Sequence, residues 1–218
     1  MKLLSRLKQD IATLKTLSGP RKREFIWDYY KLPIGLVLCA VALVVITLAF
    51  DFSRGDTVMY AVLINADDTG DKTVFSQVLE ESGMDMAGKD VDVTANYTLL
   101  YDPTSTTDGD TVLVLAALFG IGDLDVFAAN EEVFTSYADQ DAFVDLSLFI
   151  EPEDLAKPDL YTCTTEDGNE IVAGIWLHEG SPLHEAGYYT GDVVIGVAAN
   201  AQNLDPAVEF MKSLAANY

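Results

Sequence analysis

The chain has 218 residues, half of them hydrophobic, and a formal net charge of −22, which excludes a nucleic-acid binder held by charge, because an acidic surface repels phosphate. The charge is unevenly spread. Eight of the 13 Lys and Arg but only three of the 35 Asp and Glu fall in residues 1–33, which leaves five and 32 beyond them: a basic tail of net +5 precedes an acidic remainder of net −27 once the run 34–50 is passed.

Residues 1–18 place Leu3, Leu7, Ile11 and Leu14 on one helical face, with Lys2, Arg6, Lys8 and Lys15 largely elsewhere. This predicts either an interfacial amphipathic helix or a short packed helix within the tail. Gly19-Pro20 ends it, and Arg21-Lys22-Arg23 offers a patch suited to anionic inner-leaflet lipids. The segment 1–31 is read as a cytoplasmic tail.

An uncharged apolar run follows, IGLVLCAVALVVITLAF, beginning at Ile34 and ending at Phe50. At about 1.5 Å per residue its length is roughly 25 Å, and Leu32 and Pro33 extend it, so a single transmembrane helix is predicted over 32–50, with the lipid bilayer as its partner. Basic flanks stay inside, which puts the N-terminus in the cytoplasm, the acidic domain outside, and Trp27, Tyr29 and Tyr30 at the inner interface of the cell membrane. A cleaved signal peptide fits less well, because the lead is long and Phe50-Asp51-Phe52 is no small-residue cleavage site. Cys39 lies inside the run and Cys163 is alone beyond it, so no disulfide can staple the outer domain, which must rest on hydrophobic burial.

After a connector at 51–57, the region 58–218 reads as one extracytoplasmic α/β domain, a largely parallel sheet flanked by helices. A buried strand, 58–64, runs into Asn65-Ala66-Asp67-Asp68; a helix capped by Thr69 or Asp68 buries Val74, Phe75, Val78 and Leu79 and stops at Ser82-Gly83. An alternating strand, 91–99, a polar loop and a helix, 110–119, closed by Gly120 and Gly122, lead to a third strand, 124–129. Helix 131–138 comes next, then a less regular stretch, 143–182, with a hairpin turned by Asp167-Gly168. A strand at 192–198 and a helix at 206–216, capped by Asp205 with Pro206 at its first position, finish the domain. Helices between successive strands are what parallel crossovers require.

Three segments carry a family likeness. Residues 122–129, GDLDVFAA, resemble the "G-x-x-P-D-V" strand of the extracellular solute-binding proteins of bacterial ABC importers, the sugar-binding type in particular, with Leu124 where the family has Pro. Residues 134–146 are similar to that family's next helix and its continuation, with Ala142 and Asp145 in place of Gly and Pro, and residues 195–211 resemble its returning strand and helix. The resemblance implies a periplasmic-binding-protein-like fold and a small solute or a protein as partner. Family members have two lobes, and the residues after the span suffice for about one.

The chemistry-bearing residues are few. Asn65, Asp67, Thr69 and Gly70 follow the first positions of a calcium loop, but Ser76 stands where a bidentate acid is needed, so a capping turn is the reading. Such turns at the carboxyl ends of parallel strands are where α/β sheets bind ligands, which points to Asp67, Asp68, Asn130 and Trp176 as pocket residues. His178, Glu179 and His184 gather in a loop bent by Gly180 and Pro182 and are weak metal ligands, without a recognised zinc spacing. No phosphate loop, nucleophile elbow or dinucleotide fingerprint occurs, and no cofactor is indicated. The sequence therefore points to a membrane-anchored, non-enzymatic binding or interaction module; a metal-dependent hydrolase of the envelope and a structural subunit of a membrane complex are the alternatives.

Overall fold

The computed structural model describes residues 39–43, 45, 56–100 and 109–217. The chain divides into two units, Met1–Arg54 and Gly55–Tyr218. In the first, residues 39–43 and 45 are helical and exposed; the predicted tail helix, the basic patch and the rest of the predicted span lie outside the described residues. Among the described residues no helix is long and apolar enough to cross a membrane.

The second unit contains a six-stranded sheet. Its elements in chain order are β1 (Asp56–Ile64), α1 (Thr73–Glu81), β2 (Lys89–Tyr97), α2 (Gly109–Ile121), β3 (Val126–Ala129), α3 (Glu131–Ala138), a 3-10 turn (Leu146–Leu148), α4 (Pro152–Leu155), β4 (Leu160–Thr164), β5 (Glu170–Leu177), α5 (Pro182–Glu185), β6 (Val193–Val197) and α6 (Leu204–Asn217). The strand order is β2-β1-β3-β6-β5-β4. β1 pairs in parallel with both β2 and β3, as their helical crossovers require. β3-β6, β6-β5 and β5-β4 are antiparallel. The domain is thus α/β with a mixed sheet: the expected largely parallel arrangement holds for the β2-β1-β3 half, and the other three pairings are antiparallel. The second half turns because the Thr165–Asn169 hairpin reverses the chain with no helix between β4 and β5, Gly168 taking φ +82° in the turn.

Both faces of the sheet are covered, and this explains why strands such as VMYAVLI and VVIGV read as continuous apolar runs. On one face Met59, Leu63 and Ile195 pack with Phe75 and Leu79 of α1 and with Phe210 and Met211 of α6, the rings of Phe75 and Phe210 stacking at 5.3 Å. On the other, Val62, Ile64, Phe127 and Val194 meet Leu115 of α2, Val133 and Phe134 of α3, and Phe143. Phe134 lies flat against Phe143, centroids 4.1 Å apart, and its ring tip fills the space over Gly174 of β5 and Gly196 of β6; a Cβ on Gly196 would come 2.9 Å from that ring and 2.5 Å from the Ala173 carbonyl.

Several boundaries depart from expectation: β2 covers 89–97 instead of 91–99, β3 begins at Val126 instead of residue 124, and three helix ends move. α1 begins at Thr73 rather than after Asp68 or Thr69, because Asp71 Oδ1 accepts from both the backbone N and Oγ1 of Thr73. α2 runs through Gly120 and ends at Gly122, which takes φ +76°. α6 begins at Leu204, which places Asp205 inside its first turn instead of at the cap. The reason is Asp125, fully buried at the start of β3. It accepts from Tyr60 N (2.8 Å), Asn203 N (2.8 Å) and Asn203 Nδ2 (3.0 Å), tying β1, β3 and the head of α6.

α2 is unusual. Its sequence is apolar around its whole circumference, yet only Thr111 and Leu115 are buried, and Val112, Leu113, Val114 and Ile121 are 41%, 70%, 38% and 63% exposed.

Candidate functional site

β1 and β3 are neighbours that hand the chain to opposite faces: α1 leaves toward the face shared with α6, and α3 toward the other. A crevice must open where two adjacent strands diverge in this way, at their carboxyl ends. Because two successive antiparallel pairings restore direction, β5 also ends at this edge and β6 begins there.

The edge is built from the ends of the strands outward. Asn65 terminates β1 with φ +57°, a left-handed turn that Asn tolerates. Its side chain then acts as one more rung of backbone: Oδ1 accepts from Leu99 N and Nδ2 donates to Leu99 O, both at 2.9 Å. The same Nδ2 donates to Asn130 Oδ1 at 3.1 Å. Asn130 sits at the N-cap position of α3 but makes no side-chain cap bond, its amide being turned to Asn65 across the crevice. Beneath them Tyr189 is buried, with its hydroxyl donating to the carbonyls of Ile64 and Ala128, both at 3.1 Å, so it bolts β1 to β3 where they diverge. Burial pushes the Tyr189 phenol far above its ordinary range, so it stays a donor.

The loop 65–72 is shaped by two successive turns of one kind. Asp67 Oδ1 accepts from Thr69 N (2.9 Å) and Thr69 Oγ1 (2.6 Å), just as Asp71 does from Thr73. These bonds hold both carboxyls below the usual range. They also account for the calcium-like spacing of the sequence. The 186–188 segment runs alongside, through Asp67 N to Tyr188 O and Asp71 N to Ala186 O, and the Tyr188 ring lies against Gly70, where a Cβ would meet it at 2.5 Å.

The result is a cleft of about 380 Å³, within the range of small-ligand sites, lined by Asn65, Asp67, Asn130, Tyr188, Thr190 and Asp192 among others. Of the sequence-predicted pocket residues, Asp67 and Asn130 line it. Asp68 is exposed beside it and is not part of the lining. Trp176 lines a second cleft of about 350 Å³ at the same edge, with Asp159, His178 and Glu179, and its indole is parallel to the His178 ring at 6.4 Å between centroids.

The predicted histidine cluster separates. His178 bridges two carboxylates, Nε2 to Asp159 Oδ2 at 3.1 Å and Nδ1 to Asp192 Oδ1 at 2.9 Å. Both ring nitrogens thus face carboxylate oxygens, an arrangement satisfied at both ends only when each carries a proton, and neither is left for a metal; the same bonds, Asp192 first, raise the pKa of the ring. His184 instead bridges Ser181 Oγ (2.7 Å) and the Gly191 carbonyl (2.9 Å), pinning the turn that leads into β6; with Nε2 donating to that carbonyl, Nδ1 accepts from the serine. Among the described residues no group of three or more His, Cys, Asp and Glu could hold a metal ion. Cys163 lies in β4, partly buried, and burial pushes its thiol up, away from a reactive thiolate.

Sequence reasoning missed the 187–193 wall. Tyr188, Tyr189, Thr190 and Asp192 follow a short helix in a segment of no motif, and only the two glycines flanking them, Gly187 and Gly191, mark a turn. Compared with family models, curated proteins and solved structures, the chain matches none.

Proposed function

We propose that this protein is a membrane-anchored extracytoplasmic binding module related to one lobe of the solute-binding proteins, taking its ligand in the cleft between Asp67, Asn130 and Asp192. The observation that carries the reading is the cleft itself: it lies at the carboxyl ends of β1 and β3, where the sheet changes winding direction, and its lining joins the polar side chains of Asn65, Asp67, Asn130 and Asp192 to two buried tyrosines. The three segments of family likeness support it by meeting in space. β3 pairs with β6, Val144 N donates to Val197 O, Ala199 N to Ala142 O, and Asn203 to Asp125. A single lobe has no clamp of its own, so binding to this one is shallow and its consequence is docking rather than enclosure.

Two measurements test it. Protease added to intact cells should remove the acidic C-terminal portion and spare the first thirty residues; protection of the C-terminal portion sinks the anchored, outward-facing reading. A thermal-shift screen of the protein with sugars, amines, amino acids and peptides should give a ligand whose stabilisation disappears in Asn130→Ala, since a ligand of the folded state raises the melting temperature by mass action.

A second reading, a structural subunit of a membrane complex, is favoured by α2. Four large apolar side chains on one exposed helix with a single charge, Asp110, form the kind of surface that marks a protein contact. Replacing Leu113 by Glu should release a co-purifying protein if this reading holds, and change nothing but solubility if it does not.

A further inference from the structure

We propose that the cleft takes a cationic organic group, an amine or guanidinium, held between the carboxylates of Asp67 and Asp192; the inference rests on the binding-module reading and names its ligand class. None of the eleven residues lining the cleft is Lys, Arg or His, and two are aspartates. The lysines of the described domain are placed elsewhere: Lys157 pairs with Asp154 at 3.0 Å and Lys212 with Glu209 at 2.7 Å, and neither Lys72 nor Lys89 lines the cleft.

The two carboxylates differ in what already satisfies them. Thr69 occupies Oδ1 of Asp67 with two hydrogen bonds, which hold the group ionised but bring no positive charge to it. Asp192 has a cationic partner in His178, through Oδ1, and His178 faces the neighbouring cleft with Asp159, Glu179 and Lys157. Their ion pair is the partition between the two clefts. A cation arriving from the Asn130 side would meet one uncompensated carboxylate and one shared with an imidazolium, so His178 competes with the ligand for Asp192.

Other ligand classes fit less well. An anion would meet two like charges and a domain of net −27, whereas that field concentrates cations at the cleft. A bare metal ion would find only two carboxylates in a space of about 380 Å³. Tyr188 and Tyr189 are also among the lining residues, and the little ring surface they leave exposed suits the alkyl portion that an organic cation carries and a metal lacks.

The experiment is equilibrium binding to the full-length protein in detergent at about 150 mM salt, where loose surface attraction is screened over about 8 Å. Putrescine, choline and arginine are the cationic probes; glucose, maltose, glutamate and phosphate are the others. At least one cation should bind at one per chain, about tenfold or more weaker in Asp67→Asn and in Asp192→Asn, and tighter in His178→Gln, which removes the competitor. Thermal melts of each variant establish that it is folded. If a neutral sugar binds and Asn130→Ala abolishes it, the ligand class is overturned while the cleft reading stands. If a cation binds but Asp67→Asn leaves its affinity unchanged, the placement is overturned; no binding by any probe overturns class and cleft together.

Discussion

His178 and Asp192 are joined by a 2.9 Å bond between imidazole Nδ1 and carboxylate Oδ1, and with Asp159 on the opposite nitrogen the ring is held as a cation between the starts of β4 and β6. The pKa of His178 is raised above 6.5, so the pair stabilises the fold fully below the unfolded value and loses that contribution as pH rises through the higher folded one. The wild-type protein should therefore melt above His178→Gln at pH 6, and the gap should close toward pH 9. Melts of the two proteins across this range check it. A gap that persists at the alkaline end would mean that packing on Trp176, and not charge, is what the histidine contributes.

Tyr189→Phe keeps the ring and removes the hydroxyl that serves Ile64 and Ala128. Two buried carbonyls then lose a donor, a loss of about 1 to 3 kcal/mol. The melting temperature should fall by several degrees, at roughly 2 to 4 °C per kcal/mol for a domain of this size. Hydrogen exchange should rise first at the ends of β1 and β3. Uniform loosening across the sheet would refute its role as a local bolt.

Gly196→Ala and Gly120→Ala should have opposite signs. The first pushes a methyl toward the Ala173 carbonyl and the Phe134 ring in a packed layer, where overpacking costs about 1 to 3 kcal/mol. The second adds a methyl where nothing lies within 4 Å, in a helix that gains about 0.4 to 1 kcal/mol from the exchange. Chemical denaturation of both variants tests the pair, and equal effects would show that Phe134 is not seated as described.

Asp125→Asn is nearly isosteric but turns an acceptor into a donor facing Tyr60 N, Asn203 N or Asn203 Nδ2. Loss of one charge-assisted bond at a fully buried site should cost about 2 to 3 kcal/mol. Limited proteolysis should then cut ahead of α6 sooner than in wild type, a result that ordinary surface Asp→Asn changes such as Asp68→Asn would not give.

The helices and strands that bury an apolar stripe or run were legible in the residue pattern, because burial on one or two faces writes a period into the sequence. Helix α3, 131–138, and the turn at Gly168 are cases in point. The direction of β6 was not legible: an all-apolar strand such as VVIGV looks the same whether its neighbours run with it or against it. Caps failed where a buried polar group overrode the local signal, as Asp125 does at Asn203. The cleft was half legible. Asp67 and Asn130 follow strands and could be placed at their ends, whereas Tyr188 and Asp192 reach the same edge from more than fifty residues later, a closeness that only the folded chain creates.

β6 lies between β3 and β5, although among the described strands it comes last in the chain. A chain synthesised from its N-terminus would hold both of those neighbours with bare flanks until residue 197 had arrived, and open strand flanks invite pairing with other molecules. The closing strand is thus a keystone laid from the tail. Any stall before it leaves two half-sheets rather than a domain, so residues 193–197 decide whether the sheet closes.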